Sequence, residues 1–213
     1  MFNTNDFATL YQLLSQDMMA EDCGLKCQQY CCRAAQAIKY FLPGEAEFFQ
    51  TQTPPNLTVV EHFIYEGYQA SDQLNCACTR ALRPFCCRIF PFRPLVDQSS
   101  RQVIGLRKAT SPSFAQYCWV ETPLPSWQQA AIAAWQQVLA DLDNLSFYAR
   151  YALFLSKARQ DPYLSTYTLL GEVQEQLAPL SQEQLWPIAL ALFDMLGYPP
   201  EQWQDIVVPL NEV

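Results

Sequence analysis

Eight of the chain's nine cysteines fall into two tight groups, and thiols gathered this closely are the residues best able to do chemistry. The first group is Cys23-Gly-Leu-Lys-Cys27-Gln-Gln-Tyr-Cys31-Cys32. Four-residue steps on a helix advance the face only slightly, so Cys23, Cys27 and Cys31 share one side and Cys32 points away from it. The second group is Cys76-Ala-Cys78 and, further on, Cys86-Cys87; Cys118 stands alone. Clustered thiolates repel one another unless a cation compensates. Soft sulfur donors select zinc, Cu(I) or iron–sulfur chemistry over magnesium or calcium. Zinc or iron, with an iron–sulfur cluster as one form of the iron, is therefore the expected metal of the clustered cysteines. No Cys-x-x-Cys occurs, which disfavours zinc ribbons, RING sites and thioredoxin-type dithiols.

The segment Arg83-Pro84-Phe85-Cys86-Cys87-Arg88-Ile89-Phe90-Pro91-Phe92 resembles the R-P-x-x-C-R-x-F-P signature of the YkgJ-like cysteine-cluster family. That family is described as a zinc- or iron-chelating domain and includes the flagellin N-methylases. Its upstream C-x-x-C-x-x-C-C is similar to Cys23, Cys27, Cys31 and Cys32, although the first two gaps here are each one residue longer. Leu42-Pro43-Gly44-Glu45 resembles a turn that some members carry, Cys76 or Cys78 fits a cysteine expected before the arginine–proline pair, and Cys118 fits a late one. The resemblance spans about residues 20–120 and places Cys87, rather than Cys86, at the signature position. It implies a metal-binding protein whose ligands are Cys23, Cys27, Cys31, Cys32, Cys76, Cys78, Cys87 and Cys118. A metal-dependent enzyme of the protein N-methylase kind is the alternative it suggests, and a thiol redox or metal-transfer protein is a third reading.

Arg83, Arg88 and Arg93 flank Cys87 in the chain. Either they favour its thiolate or bind an anion, or they are surface partners of the acidic region. Glu45 reads as a surface glutamate at a helix end, with a hard oxygen ligand or proton acceptor as the alternative. The single histidine, His62, reads as structural, which leaves no histidine-based triad or His-rich metal site. Because no neighbour of Cys23, Cys27 and Cys31 shares their face, a fourth ligand is expected from Cys87. Two independent local sites are the alternative.

The elements that must position these thiols are mostly helical. Apolar spacing predicts a helix over 5–20 and another from about Asp22 to Phe41, ended by Pro43-Gly44. Leu57 to Val60 suggests one strand, and Phe92–Val96 with Gln102–Leu106 suggests a hairpin around a polar turn. From Ser126 onward the pattern is helical throughout. Ser126-x-x-Gln129 and Ser181-x-x-Gln184 match capping boxes, Asn144 and Asp161 are candidate caps, and Pro200 opens a last short helix. Trp127, Trp135, Tyr148, Tyr151, Trp186 and Trp203 read as core. The expected class is α+β, mostly α: a small cysteine-rich metal-binding part with a short β-hairpin, then an all-α bundle.

Charge divides the chain at the same place. Residues 1–118 carry ten basic and ten acidic residues, whereas 119–213 carry three and eleven, which accounts for the net −8. With Glu121-Thr122-Pro123-Leu124-Pro125 as connector, the expected domains are 1–120, the metal-binding region, and 126–213, an acidic helical region that could pack with it as one unit. A pI near 4.6 argues against a nucleic-acid partner. A protein partner for the acidic helices is expected instead. No leader or membrane span is readable, so no membrane is expected and the reducing cytoplasm is the expected compartment. No phosphate-cradling glycine motif is present.

Overall fold

The structure is a computed structural model that describes residues 2–20, 40–52, 59–62, 67–70, 83–109, 118, 120–161 and 163–195. In chain order the elements are α1 (Thr4–Leu13), α2 (Glu45–Gln52), β1 (Val59–His62), β2 (Gly67–Ala70), α3 (Phe85–Ile89), β3 (Phe92–Asp97) and β4 (Gln102–Lys108). Four long helices follow: α4 (Pro125–Ala140), α5 (Leu142–Gln160), α6 (Thr166–Leu177) and α7 (Gln182–Met195). The class is α+β and mostly α, and among the described residues every strand precedes Pro125.

The two sheets are antiparallel pairs, β1 with β2 and β3 with β4. In the second, Phe92 faces Lys108 and Asp97 faces Gln102, with a register shift between Leu95 and Val96. The expected hairpin is therefore present, and its turn is an Asx device. The Asp97 carboxylate accepts from the Ser99 and Ser100 N–H groups at 2.8 and 2.9 Å and from the Ser99 hydroxyl. Those donors hold its carboxyl below the usual range.

The long helices bury ordinary apolar stripes. On α4 these are Trp127, Ala131, Ala134, Trp135 and Val138, and on α5 Leu145, Tyr148, Ala149 and Ala152. Helix α5 packs on α6 and α7, while α4 packs on α5, α1 and β4. The resulting core is one cluster, running from Phe7 on α1 to Phe193 on α7. Trp127, Trp135, Tyr148 and Trp186 lie in it as expected, and Tyr151 packs half-buried against it. Trp203 and the helix expected at Pro200 lie outside the described residues, as do residues 22–39 of the helix expected from about Asp22 to Phe41, whose last two residues, Tyr40 and Phe41, are not helical.

Several helix starts differ from expectation. Leu124 caps α4 without a side-chain bond and Pro125 takes the first turn, so Ser126 is already helical. Asp141, not Asn144, caps α5 by accepting the Asn144 N–H at 2.9 Å, and Asn144 is buried in the first turn. Ser165 rather than Asp161 caps α6. The Ser181–Gln184 box does form: the Ser181 N–H donates to Gln184 Oε1 at 2.8 Å and the Gln184 N–H to Ser181 Oγ at 3.4 Å.

Candidate thiol and metal site

The turn before α2 positions the centre of the region. Glu45 N–H donates to the Leu42 carbonyl at 2.9 Å, with Pro43 second in the turn and Gly44 third at φ 82°. That left-handed conformation suits glycine, and a proline–glycine pair in these places is the signature of a type II turn. The turn folds the first side chain of α2 inward, so the Glu45 carboxylate is fully buried. This overturns the surface reading of Glu45.

Three donors converge on that carboxylate, one from its own turn and two from distant segments. The Leu42 N–H donates to Oε2 at 2.7 Å, the Phe85 N–H at the start of α3 donates to Oε1 at 2.5 Å, and the Tyr11 hydroxyl of α1 donates to Oε1. Burial pushes the Glu45 carboxyl up to about 7, against the opposing pull of the Tyr11, Phe85 and Leu42 donors and of Arg88. Tyr11 is raised well above an ordinary phenol, first by burial and then by the Glu45 charge. Glu45 thus clasps α1, the 42–45 turn and α3 at one point.

The arginines are buried too: Arg83, Arg88 and Arg93 are each at most 6% exposed, so they are not the surface residues of that reading. The Arg88 guanidinium lies 3.9 Å from the centroid of the Tyr11 ring. Its Nε–H donates to the Arg83 carbonyl at 2.9 Å and Nη1 to the Tyr11 carbonyl at 3.5 Å. Arg88 therefore braces α3 against α1.

On that braced helix, Cys86 and Cys87 are partly exposed and their sulfurs lie 3.8 Å apart. The Cys86 sulfur also accepts the Tyr40 backbone N–H. The bond to Cys87 raises the Cys86 thiol well above its usual range, and burial and the Cys87 and Glu45 charges add to the effect. Cys86 therefore keeps its proton.

Aromatic rings wall the site. Phe85 meets Trp135 of α4 edge-on at 4.9 Å, and Trp135 packs on Tyr148 at 5.7 Å and Phe193 at 5.2 Å. Tyr40 sits against Phe147 and Tyr148, and both tyrosine hydroxyls are raised, first by burial.

Of the cysteines expected as ligands, Cys87 and Cys118 are described, and both are partly exposed. Cys118 lies beyond the hairpin, where its carbonyl accepts the Lys108 ammonium at 2.8 Å. Cys23, Cys27, Cys31, Cys32, Cys76 and Cys78 lie outside the described residues. His62 is a residue of β1. Among the described residues no three Cys, His, Asp or Glu side chains form a metal-holding group. No described helix is long and apolar enough to cross a membrane.

Sequence reasoning missed Tyr11, the inward turn of Glu45 and the part played by Cys86. The pairing of Pro43-Gly44 with Glu45 was the available signal for the turn. Nothing local could announce which donors would meet the carboxylate. Comparison with family models, curated proteins and solved structures finds no match.

Proposed function

We propose that this chain binds zinc or iron through clustered cysteine thiolates. The observation that supports this best is the Cys86–Cys87 pair, two partly exposed residues with their sulfurs side by side on a helix braced by Glu45 and Arg88. Sulfur donors fit a soft or borderline ion and not magnesium or calcium. In this reading Cys87 is a ligand, joined by Cys23, Cys27, Cys31 and Cys32, by Cys76 or Cys78, and by Cys118. The resemblance to the YkgJ-like cysteine-cluster family over residues 20–120 supports the same reading. When bound, such an ion supplies cross-linking free energy to chain segments that are short and far apart in sequence.

The protein's own groups then have separate tasks. Glu45, Tyr11 and Arg88 hold α3 in place, and the Cys86 sulfur lies beside the Cys87 sulfur. The reading belongs to a reducing compartment such as the cytoplasm, where thiols persist. The acidic helices are the side offered to a protein partner, supported by their charge and by the exposed rings of Tyr163 and Tyr167.

The test is anaerobic purification without chelator, followed by metal analysis and an absorption spectrum. Zinc, or iron with the visible bands of a cluster, is expected at one or more ions per chain, and Cys87→Ser should lower it. Metal well below one per chain would refute the proposal.

A further inference from the structure

Adjacent thiols on one short helix can also react with each other. We infer that Cys86 and Cys87 form a reversible oxidation site, in which a hydroperoxide converts the pair to a vicinal disulfide. The sulfurs lie 3.8 Å apart and both residues are partly exposed, so the pair is open to an oxidant and its two sulfurs are already neighbours. The inference concerns the sulfur pair itself and does not depend on metal binding.

The chemistry balances in two steps. Hydrogen peroxide transfers one oxygen to the first thiol; the O–O bond breaks, the sulfur becomes a sulfenic acid and one water leaves. The second thiol attacks that sulfur; the S–O bond breaks, the S–S bond forms, and a second water departs with the thiol proton. A dithiol reductant returns two electrons and two protons.

The geometry explains why such a bond would be temporary. Neighbouring Cα atoms across a trans peptide are about 3.8 Å apart, below the roughly 4.4–6.8 Å usual for disulfides. Closure therefore strains the backbone, and strained disulfides are the readily reduced ones. The strain falls on α3, where the Cys87 and Arg88 N–H groups donate to the Pro84 carbonyl at 2.9 and 3.0 Å. One residue earlier, the Phe85 N–H donates to Glu45 and the Phe85 ring packs on Trp135. Oxidation is thus transmitted to the Glu45 clasp and to α4.

The test uses the full chain, both as purified and after chelation, with metal content measured in parallel. Each sample is treated with hydrogen peroxide, alkylated and digested with trypsin. The Arg83–Pro84 bond resists trypsin, so residues 81–88 stay in one peptide holding both sulfurs. The expected result is that this peptide loses two hydrogens and takes up no alkyl group, and that prior dithiothreitol restores two sites of alkylation. In Cys86→Ser and Cys87→Ser the remaining thiol should stop at sulfenic acid, raising capture by a cyclic diketone several-fold over the unsubstituted protein. Protection in the metal-bearing sample with disulfide in the chelated one supports both this inference and the metal proposal. Disulfide in both samples without bound metal supports this inference and refutes the other. Two free thiols in the chelated, oxidised protein, or linkage of either sulfur to a different cysteine, would overturn it.

Discussion

The segments around Glu45 and the helices after Pro125 reach burial by different means. Near Glu45 the interior contains a carboxylate and three arginines, and beside apolar packing such as Tyr11 on Phe48 it holds directional contacts: donors on an oxygen, a guanidinium on a ring, sulfur beside sulfur. In the helices the interior is mostly apolar and repetitive, Asn144 and the Tyr148 hydroxyl excepted, with Ala131, Ala134, Ala149 and Ala152 letting neighbouring helices approach. Directional burial is costly if any partner is lost, because a buried polar group then goes unmet. Apolar burial loses free energy in proportion to what is removed. The first kind fixes a geometry; the second supplies most of the stability.

The largest expected effect comes from the residue shared by both regions. Trp135→Ala removes the ring between Phe85, Tyr148 and Phe193, and should cost about 3–5 kcal/mol in denaturant unfolding. If the loss is concentrated in the helices while the thiol reactivity of Cys87 is unchanged, the regions are less connected than their packing implies.

The second effect isolates the directional region through pH. The Glu45 carboxyl stands near 7 when folded and at an ordinary 4.5 when unfolded, so folding favours its protonated form. Its stabilising contribution is full below about 4.5 and is lost as pH rises through about 7. At about 1.4 kcal/mol per unit that difference is on the order of 3 kcal/mol. Glu45→Gln should therefore flatten the pH dependence of the unfolding midpoint between those limits. An unaltered profile would show that the donors to the carboxylate balance the cost of its burial.

The smallest effect belongs to the helices alone. Asp141→Ala removes the cap on α5 and should lower stability by about 1 kcal/mol. Hydrogen exchange should show the loss at the start of α5 and leave the Phe85 amide unaffected.

How much of this was legible in the sequence follows the same division. Helices α4 to α7 and the β3–β4 hairpin could be read because their apolar residues repeat at helical spacing or flank a polar turn. Their ends were less legible: Ser126 follows a proline that takes the first turn, and Asp141 lies three residues ahead of the Asn144 amide it caps. The five-residue α3 is too short for a periodic signal, and α2 carries Glu45 and Glu47 in its first turn with only a weak apolar face. The thiol spacing was visible, and so was the Cys86–Cys87 pair. The burial of Glu45, Arg83, Arg88 and Arg93 was not, because charged residues ordinarily lie outside and their partners here are remote in sequence.

That remoteness has a kinetic side. The bonds from Tyr11 and Phe85 to Glu45 join residues 34 and 40 positions apart. Closing loops of this length carries an entropic cost before any contact repays it, so these bonds belong to the late part of folding. Interactions that form after the transition state leave the folding rate nearly untouched and slow unfolding instead. The clasp at Glu45 is thus less a guide for the collapsing chain than a latch, determining how long the finished fold lasts once made.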